Sequence, residues 1–131
     1  MAPRGVNHVG LAVEDLDEAV ETYERMFGAE VERRAEGGGL FGAMMRVGSD
    51  RVELLTSTDA ETPIGKFLAN RGPGLHHVAY SVGDIRGELR SLRESGVELI
   101  DAEPRVGLFA HEIAFVQPAS VHGVLTELVA V

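Results

Sequence analysis

Two histidines and two glutamates recur at matching places in this sequence. His8 opens the segment His8-Val9-Gly10-Leu11-Ala12-Val13-Glu14-Asp15-Leu16, and His77 opens His77-Val78-Ala79-Tyr80-Ser81-Val82-Gly83-Asp84-Ile85. Glu53 lies inside Val52-Glu53-Leu54-Leu55, and Glu127 inside Thr126-Glu127-Leu128-Val129. An ionised carboxylate within an apolar strand needs a cation, hydrogen bonds or water. Imidazole nitrogen and carboxylate oxygen suit a divalent first-row metal such as Co, Mn, Ni or Zn. Read singly, each residue has a plainer explanation: a strand histidine is usually satisfied or half-exposed, and a strand glutamate can face solvent. The duplication favours the metal. If the two halves pair through an approximate two-fold axis, His8 and Glu53 meet His77 and Glu127 in a His₂Glu₂ site. Of the other histidines, His76 has the opposite, helix-facing parity, and His111 and His122 fall near strand or loop ends, where solvated roles suffice.

The elements that must position these residues follow from the same repeat. Each copy begins as a strand and reaches an Asp (Asp15, Asp84) suited to capping a helix. Helical spacing follows, Leu16, Val20, Tyr23 and Phe27 in one copy and Ile85, Leu89 and Leu92 in the other. Glycine then ends the helix and a strand resumes, at Gly28-Ala29-Glu30-Val31 and at Gly96-Val97-Glu98-Leu99. Further strands are expected at 40–47 and 51–56, and at 111–116 and 123–130. Pro63 and Gly72 bracket a short connecting helix, and Glu36-Gly37-Gly38-Gly39 reads as a hairpin turn, since no Lys-Ser/Thr follows to make a phosphate loop. Strand parity sets His8, Gly10 and Ala12 on one face, and His77, Ala79 and Ser81 on its counterpart. The bulky residues between them back onto the helices, and small residues beside each histidine leave room for something other than core.

The expected fold is α+β: two tandem βαβββ modules forming a curved, cupped, eight-stranded mixed sheet with helices outside. Residues 1–131 make one domain, with module one at about 5–56, the connecting helix at about 61–72 and module two at about 74–131. Twelve Lys+Arg against 21 Asp+Glu give a net charge of −9, which argues against nucleic acid as a partner. No apolar run approaches the roughly 20 residues of a membrane span, and no signal-peptide pattern opens the chain, so a cytoplasmic protein with no membrane partner is expected. There are no cysteines, which excludes thiolate ligands and cysteine nucleophiles.

The duplicated unit with its His, Glu, His and Glu resembles the vicinal oxygen chelate superfamily, which includes glyoxalase I, ring-cleaving dioxygenases and bleomycin-resistance proteins. Within it the chain is similar to the methylmalonyl-CoA epimerase family over nearly its whole length. The resemblance rests on Val52–Leu55, Thr62–Leu68, Gly72–Tyr80, Asp101–Gly107 and His122–Leu128. It implies that His8, Glu53, His77 and Glu127 hold one divalent metal, with Co favoured over Mn, Ni or Zn. It further implies inversion at C2 of an acyl-CoA through a metal-stabilised enolate, Glu127 as an acid/base, and a homodimer. Gly42 stands where some epimerases place a glutamate base, and Gln117-Pro118-Ala119 and Gly107–His111 also depart from the family pattern. Two alternatives share the scaffold: a glyoxalase I-type lyase or isomerase, and a non-catalytic drug-binding protein.

Overall fold

The computed structural model describes residues 2–131. Its elements are β1 (Gly5–Ala12), α1 (Leu16–Phe27), β2 (Glu30–Gly37), β3 (Leu40–Val47), β4 (Asp50–Ser57), α2 (Pro63–Arg71), β5 (Gly74–Val82), α3 (Ile85–Glu94), β6 (Arg105–Val106), β7 (Glu112–Val116), a 3₁₀ turn at Pro118–Val121, and β8 (Thr126–Ala130). The chain divides into two compact units. One is His8–His76; the other is His77–Val131 together with the first residues as far as Asn7. Among the described residues no helix is long and apolar enough to cross a membrane.

In the His8–His76 unit the strand order is β2-β3-β4-β1, with β1 parallel to β4 and the other pairs antiparallel. The Asp15 side chain accepts a hydrogen bond from the Glu18 amide at 3.0 Å and caps α1. The helix ends where the Gly28 amide bonds the Glu24 carbonyl. Its apolar stripe, Leu16, Ala19, Val20 and Tyr23, packs on Leu11, Val13, Ala43, Met45 and Leu54. The β2–β3 hairpin turns on Gly38 and Gly39, both at positive φ (58° and 85°), which a two-residue hairpin turn requires. α2 opens at Thr62, whose Oγ1 accepts from the Gly65 amide at 3.0 Å, with Pro63 in its first turn. A Cβ at Gly65 would collide with the Asp59 carbonyl oxygen and with Ala60 Cα.

The other unit repeats the plan with strand order β5-β8-β7-β6, β5 parallel to β8 and the remaining pairs antiparallel. Asp84 caps α3 by accepting from the Gly87 amide at 3.0 Å. Ile85 and Leu89 pack on Val82, Ala114 and Leu128.

The α+β class and the doubled βαβββ order are as the sequence indicates, with two local corrections in the second module. The strand expected at Gly96–Leu99 does not form. It shrinks to one bridge, Leu99 with Val116, and strand pairing resumes only at β6. Side-chain chemistry interrupts the ladder there: Asp101 Oδ2 accepts the Phe115 amide at 2.9 Å, where a strand would offer a backbone carbonyl. Pro104 then has no N–H to donate. The last strand begins at Thr126, not at residue 123. The turn at Pro118–Val121 closes with the Gly123 amide on the Pro118 carbonyl at 2.8 Å, and His122 takes a left-handed φ of 63°. Residues 122–123 are thereby spent on the turn.

Candidate metal centre

In the His8–His76 unit the parallel β1–β4 register sets Glu53 beside Gly10, and the antiparallel β3–β4 register sets Glu53 beside Met44. His8 precedes Gly10 by two residues and so shares its face. The result is a contact of 3.5 Å between His8 Nε2 and Glu53 Oε1. In the other unit Glu127 lies beside Ala79 on β5 and Phe115 on β7, and His77 Nε2 stands 3.6 Å from Glu127 Oε1. The same arrangement is therefore built twice, with a small residue on one flank of each carboxylate and a bulky one on the other.

All four residues are buried, His8 at 5%, Glu53 at 7%, His77 at 2% and Glu127 at 6% exposure. Within its own unit each pair lies on the strand face away from α1 or α3. The opposite parity supplies the helix-packing residues: Leu11, Ala43, Met45 and Leu54 in one unit, and Tyr80, Val82, Ala114 and Leu128 in the other. On the histidine-bearing face of the second unit, Ala79, Ile113, Val129 and Phe115 make an apolar wall.

Buried carboxylates paired with imidazoles suit a cation chemically, and the separations agree. Two donors about 2.1 Å from a common divalent ion, subtending roughly 110°, are about 3.4 Å apart. Both observed separations fall close to that and exceed the roughly 2.7–2.9 Å of a charge-assisted hydrogen bond. Each His/Glu pair is thus spaced as two ligands of a shared ion.

A profile of the Glyoxalase/Bleomycin resistance protein/Dioxygenase superfamily matches residues 7–115. The chain belongs to this superfamily. Among its relatives is the mitochondrial methylmalonyl-CoA epimerase of Dictyostelium discoideum, 32% identical over 126 residues, covering 94% of this chain and 76% of that protein. The ethylmalonyl-CoA/methylmalonyl-CoA epimerase of Cereibacter sphaeroides is 32% identical over 127 residues, covering 94% and 95%. A solved methylmalonyl-CoA epimerase, in complex with methylmalonyl-CoA and ammonium, superposes with a TM-score of 0.93 at 34% identity, covering 98% of this chain and 95% of that one. Resemblance to the epimerases therefore extends over nearly the whole chain and to its three-dimensional course.

For this superfamily member the sequence indicates both His/Glu pairs, and the structure brings His8 to Glu53 and His77 to Glu127, each within its own unit. Gly42 faces away from α1, beside Leu55 on β4, and supplies no side chain. Three neighbours of the second pair were not anticipated. The Phe115 ring and the His77 imidazole meet edge to face, centroids 5.7 Å apart. Arg105 lies over the Phe115 ring at 5.5 Å, and Asp101 holds Arg105 Nε at 3.1 Å. Alternation along 112–116 would have placed Phe115 beside Glu127; the link to residues 101 and 105 has no sequence signal, because it depends on the interrupted strand. His76, on the other parity, meets Phe67 of α2 edge-on at 5.1 Å.

Proposed function

We propose that this chain is a methylmalonyl-CoA epimerase in which His8, Glu53, His77 and Glu127 hold one divalent metal, with cobalt favoured. The observation that carries this reading is the buried His/Glu pair built twice in equivalent registers. It occurs in a chain whose epimerase relative was solved with methylmalonyl-CoA.

The reacting proton sits on C2, between a thioester carbonyl and a carboxylate. Removing it breaks the C2–H bond and sends its electron pair into an enolate. When bound, the metal supplies positive charge toward the electron-rich oxygens of that species. Epimerisation then needs one group to take the proton and another to return one on the opposite face. Glu127 is assigned the first role. Register supports Glu53 for the second: on β1, β3 and β4 the positions facing away from α1 include His8, Gly10, Ala12, Gly42, Met44 and Leu55, and Glu53 is the carboxylate among them. In this reading Glu53 supplies the function that Gly42 cannot. The apolar wall of Ala79, Ile113, Val129 and Phe115 excludes water from the charged intermediate.

An acyl-CoA substrate is polyanionic, and the chain carries −9 overall. Lys66 and Arg71 offset this locally. Both are exposed on or at the end of α2, and among the described residues neither enters an ion pair, whereas Arg34, Arg46, Arg51, Arg86 and Arg105 all do. They are assigned to the phosphates of the CoA tail. A cytoplasmic homodimer completes the reading; exposed apolar side chains such as Met26 and Phe27 offer surface that an association would bury.

The test is substrate choice in cobalt-loaded protein. Interconversion of (2R)- and (2S)-methylmalonyl-CoA without turnover of the glutathione hemithioacetal is expected. Turnover of the hemithioacetal alone would assign the glyoxalase I-type reaction instead, and turnover of neither would favour a binding protein.

A further inference from the structure

The two His/Glu pairs are alike in register but differ in the bulky residue beside each carboxylate. Beside Glu53 stands Met44, a flexible thioether. Beside Glu127 stands Phe115, and Phe115 is held at its amide, its carbonyl and its ring. Its amide donates to Asp101 Oδ2 at 2.9 Å, and its carbonyl accepts from the Ile100 and Asp101 amides at 2.9 and 3.2 Å. Arg105, held through Nε by the other oxygen of Asp101 at 3.1 Å, lies over its ring at 5.5 Å. That ring meets His77 at 87°, centroids 5.7 Å apart, the edge-to-face geometry that aromatic quadrupoles favour.

Asp101 thus uses both carboxylate oxygens, one on the backbone and one on the guanidinium that covers the ring of the same residue. The carboxylate is itself well shielded, its side chain 16% exposed. This accounts for the interrupted strand: a regular ladder through 99–106 would pair the Phe115 amide with a backbone carbonyl and leave no acid to orient Arg105.

We infer that Asp101, Arg105 and Phe115 form a positioning clamp that presets the imidazole of His77, so that the second His/Glu pair is rigid before any metal or substrate arrives. The inference rests on His77 being a metal ligand, as proposed above, but its structural content is independent of that. Phe115 restricts rotation of the imidazole about its Cβ–Cγ bond and keeps Nε2 directed at Glu127. Asp101 and Arg105 restrain Phe115 and act on His77 only through it. Partners that orient a metal-binding histidine typically change metal affinity about tenfold or more when removed.

The experiment compares wild type with Phe115→Leu, Phe115→Tyr, Asp101→Asn and Arg105→Met. Two quantities are measured: ring C–H resonances of His77 in metal-free, ¹³C-labelled protein, and cobalt affinity from the visible absorption of the loaded site. Phe115→Leu is expected to broaden or average the His77 resonances and weaken cobalt binding about tenfold. Phe115→Tyr should keep both near wild type, because it keeps the aromatic ring. Asp101→Asn keeps an acceptor for the Phe115 amide but loses the ion pair, and should fall between, as should Arg105→Met. These two changes leave the Phe115 side chain in place and keep the test decisive if Phe115→Leu fails to fold. His77 line widths and cobalt affinity unchanged in Asp101→Asn and Arg105→Met would overturn the clamp. If wild type binds no cobalt, the metal reading fails, while the metal-free His77 spectra still decide the clamp.

Discussion

Glu53 and Glu127 are 7% and 6% exposed, and in the proposed site each is a ligand when metal is bound and a desolvated carboxyl group when it is not. At free cobalt about 100-fold above its dissociation constant, binding to the folded state alone contributes about 2.7 kcal/mol. A chain of 131 residues unfolds with an entropy of roughly 0.28 kcal/mol per kelvin near its midpoint, so cobalt should raise Tm by about 10 °C. Glu53→Gln keeps the shape but removes a proposed ligand, so its Tm should rise on cobalt loading by less than half as much as that of wild type. Differential scanning calorimetry on stripped and cobalt-loaded samples reads both shifts. A wild-type Tm indifferent to cobalt, or a variant whose Tm rises on loading as much as wild type, would refute the reasoning.

Three further outcomes concern the scaffold. Ala110 sits at φ 68°, a left-handed conformation that penalises a Cβ, so Ala110→Gly should stabilise by about 0.5–1 kcal/mol in chemical denaturation; destabilisation would mean the loop relaxes differently. Gly65→Ala should destabilise by about 1–3 kcal/mol despite the better helix propensity of alanine, because the new methyl meets the backbone of Asp59 and Ala60. Leu89, 1% exposed between α3 and its strands, should cost about 2–5 kcal/mol on truncation to alanine; a loss below 1 kcal/mol would show that the site collapses around the cavity.

Much of this structure is legible in the sequence because its signals are local or repeated. Asp15 and Asp84 cap where their spacing indicates, Pro63 stands in the first turn of α2, and parity alone separates the helix-packing face from the face of His8 and His77. The positions that sequence reading misplaced are those where a side chain replaces a backbone partner. Asp101 takes the Phe115 amide and dissolves the expected strand at Gly96–Leu99, while His122 adopts a left-handed turn and delays β8. Neither event has a periodicity to betray it. The residues around His77 were missed for the same reason, since Arg105 reaches Phe115 only once that strand is broken. The two His/Glu pairs were legible as candidates because duplication places equivalent chemistry at equivalent registers.

The central claim, proton transfer at C2 through the buried carboxylates, is tested most directly by deuterium wash-in. Cobalt-loaded wild type and Glu127→Gln are incubated with methylmalonyl-CoA of one C2 configuration in deuterated water, and deuterium at C2 is followed by mass spectrometry. The account predicts rapid incorporation with wild type, accompanied by loss of configuration, and at least a hundredfold slower incorporation with Glu127→Gln. Incorporation by Glu127→Gln at the wild-type rate would contradict it.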